Sequence, residues 1–130
     1  MRSIVLYAYP SETDGLSLQG DMLWRAMKEN GEEAVPCHWQ SDFEKEWLYL
    51  TSKPDVAIGI GFWGYTPQLI LHPQKFGIQP VPWFVADGWV ANYQDIIGEL
   101  PLVFVTSDWV RQTYERDGVD TKNFVTAHVG

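Results

Sequence analysis

Six short apolar runs, each closed by proline, glycine or a polar turn, recur at roughly 25-residue intervals, and stretches with helical spacing separate them. That alternation admits few architectures. Parallel strands need a crossover of about a dozen or more residues, helices supply it, and right-handed crossovers wind the helices onto both faces of one open sheet. Strands are predicted over residues 3–9, 33–39, 56–60, 82–86, 102–105 and 123–128. The first, ending Ile4-Val5-Leu6-Tyr7-Ala8-Tyr9 before Pro10, reads as a strand buried on both faces. Between the strands, helices are predicted over residues 17–30, 42–50, from 66 towards 77, 92–98 and 108–117. In the first of these, Leu18, Met22, Leu23, Ala26 and Met27 recur at three- and four-residue spacing, with Ser17 as a candidate cap and Gly31 as the stop. Ser41 and Ser107 are the expected caps of the second and last helices. The fold class is therefore α/β, an open doubly wound parallel sheet of about six strands, Rossmann-like. A length of 130 residues suits one such domain.

Charge narrows the partners. Seventeen acidic against nine basic residues give a net charge of −8, which repels phosphate backbones and anionic lipid, so nucleic acid is not expected. Membrane contact is unsupported by charge, although an apolar patch around exposed tryptophans would still reach a lipid-linked acceptor. The single cysteine, Cys37, cannot form an internal disulfide, and no charged-then-apolar leader opens the chain, which sets a reducing, cytoplasmic location as the expectation. Cys37 lies in an apolar strand and reads as a buried, inert thiol. His38, His72 and His128 are scattered without companion ligands, so no metal is expected.

Doubly wound sheets bind ligands at the carboxyl ends of their strands. Here those ends fall at residues 9–16, 62–65, 87–93 and 106–109. Three of the seven tryptophans (Trp63, Trp89, Trp109) lie there, together with Tyr65 and Tyr93. Aromatic faces beside carboxylates and hydroxyls suit sugars, whose C–H faces are apolar while their hydroxyls need directional hydrogen bonds. The turn through Asp14, Gly15, Leu16 and Ser17 precedes a helix whose first amides could hold a phosphate or carboxylate, and an ordinary capped turn explains the same residues. Asp87-Gly88-Trp89 sets a carboxylate beside an aromatic plane, as a base, a hydroxyl anchor or a simple turn. Gly59-Ile60-Gly61-Phe62-Trp63-Gly64 matches the dinucleotide glycine fingerprint, with Asp87 23 residues beyond. It follows the third strand, however, and the bulk of Phe62-Trp63 would crowd a pyrophosphate. A tight strand exit presenting Trp63 and Tyr65 is the better reading, with a nicotinamide-dependent oxidoreductase as the weaker one.

Taken in order, Tyr9-Pro10, Asp14-Gly15-Leu16-Ser17, Gly31, Asp55-Val56-Ala57, Gly77-Ile78-Gln79-Pro80-Val81-Pro82 and Val105-Thr106-Ser107 resemble the amino-terminal half of retaining GT-B glycosyltransferases of the family 4 type. The stretch from Ser107-Asp108-Trp109-Val110 through Gly118-Val119 to Ala127-His128-Val129-Gly130 is similar to the serine-led helix and closing strand that lead towards that family's second half. The resemblance implies an acceptor-binding domain, residues 1–130, working with a carboxyl-terminal domain that binds a nucleotide-sugar donor, and no separate cofactor. It implies that Asp14, Gly15, Leu16 and Ser17 border the donor phosphates. Trp63, Tyr65, Trp89, Tyr93 and Ser107 would then face a carbohydrate or glycosylated acceptor. Family members often carry a histidine near the end of the fourth strand, where this chain has Val85-Ala86-Asp87, so Asp87 is the candidate catalytic residue. A non-catalytic carbohydrate- or protein-binding module is the alternative.

Overall fold

The computed structural model describes residues 1–10, 14–86 and 88–128. Its six strands are β1 (Arg2–Tyr7), β2 (Glu33–His38), β3 (Val56–Gly61), β4 (Gln79–Phe84), β5 (Val103–Val105) and β6 (Phe124–Thr126). All neighbours pair in parallel, in the order β2-β1-β3-β4-β5-β6. The chain steps one way from β1 to β2 and the other way to β3, so the sheet reverses direction between β1 and β3. Helices α1 (Gly15–Glu29), α2 (Asp42–Thr51), α3 (His72–Lys75), α4 (Gln94–Gly98) and α5 (Asp108–Arg116) supply the crossovers. The predicted doubly wound parallel sheet is thus the observed architecture.

Strand periodicity divides the core in two. Ile4 and Leu6 of β1, with Ala57, Phe84, Val103 and Val105, face Tyr49, Ile97, Val110 and Tyr114 of α2, α4 and α5. Val5, Tyr7 and Ile60 face the other way, onto Leu16, Leu23, Trp24 and Met27 of α1. This corrects the predicted seating of α1: Leu18 and Met22 are 56% and 46% exposed and Ala26 is also exposed. Gly20 decides the matter. Its backbone lies flat against the Tyr7 ring, where a Cβ would come within 2.3 Å of Cγ, so only this face of α1 can approach the sheet. Ser17 is not the cap either. α1 begins at Gly15, and the Asp14 carboxylate accepts the Ser17 N–H at 2.7 Å, while the Ser17 hydroxyl is buried without a partner.

β4 holds two prolines in mid-sheet, where a missing N–H would break a ladder. Their positions resolve the conflict. Val85 N–H bonds back to Gly61 of β3, and Thr106 N–H reaches Phe84 O across the other side, so even-numbered residues of β4 point towards β5. Pro80 and Pro82 therefore leave the β3 ladder intact over its full register, and β5 pairs only with Trp83 and Phe84, beyond them.

The segment after β3 is helical as expected, but not uniformly so. A 3-10 turn at Trp63–Tyr65 leads into a π turn at Pro67–Leu71 and then α3. His72 N–H bonds to Pro67 O, five residues back, and Pro73 has no N–H to restore α geometry at once. Lys45 of α2, fully buried, ties this segment down: its ammonium donates to the Gln68 carbonyl at 3.2 Å and side-chain oxygen at 2.8 Å, and lies 3.2 Å from the Asp42 carboxylate. Burial lowers the lysine's proton affinity against the pull of Asp42.

Candidate functional site

The carboxyl edge of the sheet gathers most of the candidate residues. α1 starts there, and its first residues separate two hollows that share Asp14 and Leu16 as a common wall. The larger, about 630 Å³ and open, is lined by Gly15 and Gln19 of α1 with Val85 and Thr106 beyond the ends of β4 and β5. Gln19 is 3% exposed and its carboxamide nitrogen has no hydrogen-bond partner, so a buried donor stands at this hollow's wall. The smaller hollow, about 200 Å³, occupies the reversal point between β1 and β3 and is lined by His38, Trp39, Gln40 and Tyr65 as well as the shared wall. Two other hollows surround Arg2 and Glu33 at the amino edge, away from the expected ligand end.

Two aromatic pairs frame this edge. Trp63 and Trp89 lie with ring centroids 6.4 Å apart at 57°, so the exits of β3 and β4 converge. Trp39 and Tyr65 stack at 4.0 Å and 10°. Trp89 is 48% exposed, yet its loop is pinned. The Asp117 carboxylate accepts the Val90 N–H at 2.6 Å, and the Arg116 guanidinium donates to Gly88 O while pairing with Asp117 at 3.0 Å. That guanidinium and the Val90 amide hold the Asp117 carboxyl below the usual carboxylate range.

Tyr93 and Ser107 have structural employment at the same edge. Tyr93 adopts a left-handed backbone (φ 66°) at the start of α4, donates its N–H to Asn92 at 2.8 Å and packs on the core. Ser107 caps α5, accepting the Val110 N–H at 3.3 Å. Asp87, the candidate catalytic residue, lies outside the described residues. Gly15, Leu16 and Asp14 are all at the α1 amino end, whereas Ser17 is buried one turn below.

The glycine triplet has a packing explanation. A Cβ at Gly59 would stand 2.8 Å from Leu69, and one at Gly61 would stand 2.2 Å from the Tyr65 ring, while Gly64 has open space. The first two let the helical segment sit on β3. Cys37 is buried, with its thiol pushed up to about 11 by desolvation. Among the described residues no cluster of three or more His, Cys, Asp or Glu side chains could hold a metal ion, and no helix is long and apolar enough to cross a membrane.

His38, Trp39 and Gln40 were not among the residues that sequence reasoning selected. His38 ends β2 and the other two follow it, and only the strand order, with β2 beside β1, carries them to the reversal point.

No protein-family model and no curated protein sequence matches the chain. Among solved structures, UDP-GlcNAc 2-epimerase from Methanocaldococcus jannaschii superposes with a TM-score of 0.60 over 97% of this chain, at 15% identity. The likeness is one of fold: the two share a Rossmann-like α/β architecture. This chain spans 45% of the epimerase's length. A LacI family transcriptional regulator from Silicibacter pomeroyi aligns over 95% of this chain and 57% of its own, at 18% identity and a TM-score of 0.41.

Proposed function

We propose that the chain is the acceptor-side lobe of a nucleotide-sugar-dependent enzyme, a retaining glycosyltransferase of GT-B type, closing against a second, donor-binding lobe. The observation that carries this reading is the convergence of the Trp63–Trp89 pair, the α1 amino end and two adjoining hollows on one sheet edge. The fold shared with a nucleotide-sugar epimerase agrees with it. In this reading the open hollow faces the donor, where the α1 amides and the Gln19 carboxamide offer donors to its oxygens. The aromatic faces hold the acceptor, and Asp87 orients the attacking hydroxyl. The bond from the sugar's anomeric carbon to the nucleotide phosphate breaks, a bond to the acceptor oxygen forms on the same face, and the acceptor proton passes to the departing phosphate oxygen. Lobe closure keeps water from the activated sugar.

A second reading, a non-catalytic binding module, is favoured by a different surface: Phe43, Trp47 and Leu50 project from one side of α2 and are all exposed. Titration with nucleotide sugars, UDP-N-acetylglucosamine first, and with simple glycans, followed by tryptophan fluorescence, separates the two. Saturable quenching by nucleotide sugars that weakens in Gln19→Leu supports the lobe. Glycan binding without any nucleotide-sugar response fits the module or a lone acceptor lobe, and protein binding with neither response supports the module.

A further inference from the structure

The hollow at the reversal point between β1 and β3 combines aromatic and polar lining residues. Its floor is aromatic, the stacked pair Trp39 and Tyr65. Its polar groups are mixed in kind: the Asp14 carboxylate, the Gln40 carboxamide and the His38 imidazole. His38 Nδ1 accepts the Gln40 N–H at 3.1 Å, which leaves the neutral ring's proton on Nε2 as a donor. Among the described residues, no lysine or arginine lines it. A volume of about 200 Å³ falls below the ~300 Å³ at which drug-sized ligand sites begin.

Each feature excludes a class of ligand. An anion would meet the Asp14 carboxylate without the Gly15 and Gln19 donors that line the larger hollow, and a purely apolar ligand would strip water from three polar side chains with nothing in return. A larger planar cofactor does not fit the volume. Among neutral ligands, what remains is one small ring with an apolar face for the aromatic floor and hydroxyls that both donate and accept. We propose that this hollow is a subsite for a single neutral pyranose ring, with Asp14, His38 and Gln40 binding its hydroxyls. Its assignment to the acceptor rests on the proposed glycosyltransferase reading.

The test is amide chemical-shift mapping of the 130-residue chain with neutral methyl hexopyranosides at millimolar concentration, with glucuronate, and separately with nucleotide sugars. Asp14→Asn keeps a side-chain oxygen to cap α1 while removing the charge, and Gln40→Ala leaves the fold untouched at an exposed position. The expected result is saturable shifts at residues 38–40 with a neutral glycoside. Asp14→Asn and Gln40→Ala should each weaken binding about five- to tenfold, and glucuronate should be rejected by the wild type but admitted by Asp14→Asn. No shift at residues 38–40 with any neutral glycoside, or binding indifferent to both substitutions, overturns the subsite. If nucleotide sugars then still shift the α1 amino end and the Trp63 and Trp89 signals, the broader reading stands without it. Glycoside binding at residues 38–40 with no nucleotide-sugar response has the opposite meaning: the subsite stands and donor contact at the α1 amino end is refuted.

Discussion

Replacing Gly61 by alanine places a methyl carbon 2.2 Å from Cδ2 and 2.8 Å from Cε2 of Tyr65, more than an ångström inside ordinary contact. The ring cannot simply withdraw, because Trp39 lies against it at 4.0 Å and nearly parallel. Relief must come from sliding the stack apart or from lifting the Trp63–Tyr65 turn off β3. Overpacking of this kind costs about 1–3 kcal/mol, and loss of an aromatic pair about 0.5–1.5 kcal/mol. The lower chain entropy of alanine in the unfolded state returns about 0.4–1 kcal/mol. A net loss of about 2–3 kcal/mol is expected, within the stability of a domain this size, so the variant folds. Urea denaturation at unchanged slope reads it as a lower midpoint. Tyr65→Ala removes the clashing ring, so Gly61→Ala should become nearly neutral in that background. A single variant within ~0.5 kcal/mol of wild type, or an equal cost with and without Tyr65, would refute the argument.

Two further outcomes follow from the same kind of reading. Gly20→Ala should destabilise by about 1–2 kcal/mol in denaturant melts, because the clash with Cγ and Cβ of Tyr7 outweighs the ~1 kcal/mol gain in helix propensity, and the Tyr7 hydroxyl is held to Asp21 at 2.6 Å. Burial and the nearby Lys45 ammonium hold His72 below its ordinary value, although Asp42 and Glu46 pull the other way and Tyr49 faces it from α2. The unfolded chain therefore takes up this proton first, and stability should fall as pH drops below about 6.5. His72→Gln should flatten that part of the stability–pH curve, and an unchanged slope would contradict it.

What the sequence disclosed follows from where its physical signals are local. β1 and β3 were legible because a continuous apolar run serves a strand buried on both faces, and Ser107 because a helix cap acts within three residues. The seat of α1 was not legible. Leu18, Met22 and Ala26 keep helical spacing as well as Leu16, Leu23 and Met27 do, and the choice depended on Gly20 meeting Tyr7, a contact between distant positions. The turn type after β3 depended on Pro73, which reads in sequence only as a helix perturbed. The site was legible where it is built from strand exits, as at Trp63 and Trp89. It was hidden at His38, Trp39 and Gln40, because a strand's neighbour in the sheet is not written beside it in the chain.

The prolines of β4 have a mechanical consequence. Six residue pairs join β3 to β4, but two join β4 to β5, so the backbone stitches the last pair of strands on loosely. Side chains make up the difference: Tyr114 stacks on Phe84 at 5.6 Å and donates its hydroxyl to Val85 O, and the Trp83 indole donates to Ala127 O. The β5–α5–β6 unit is riveted rather than woven, so amide exchange is expected to be faster in β5 and β6 than in β1 and β3.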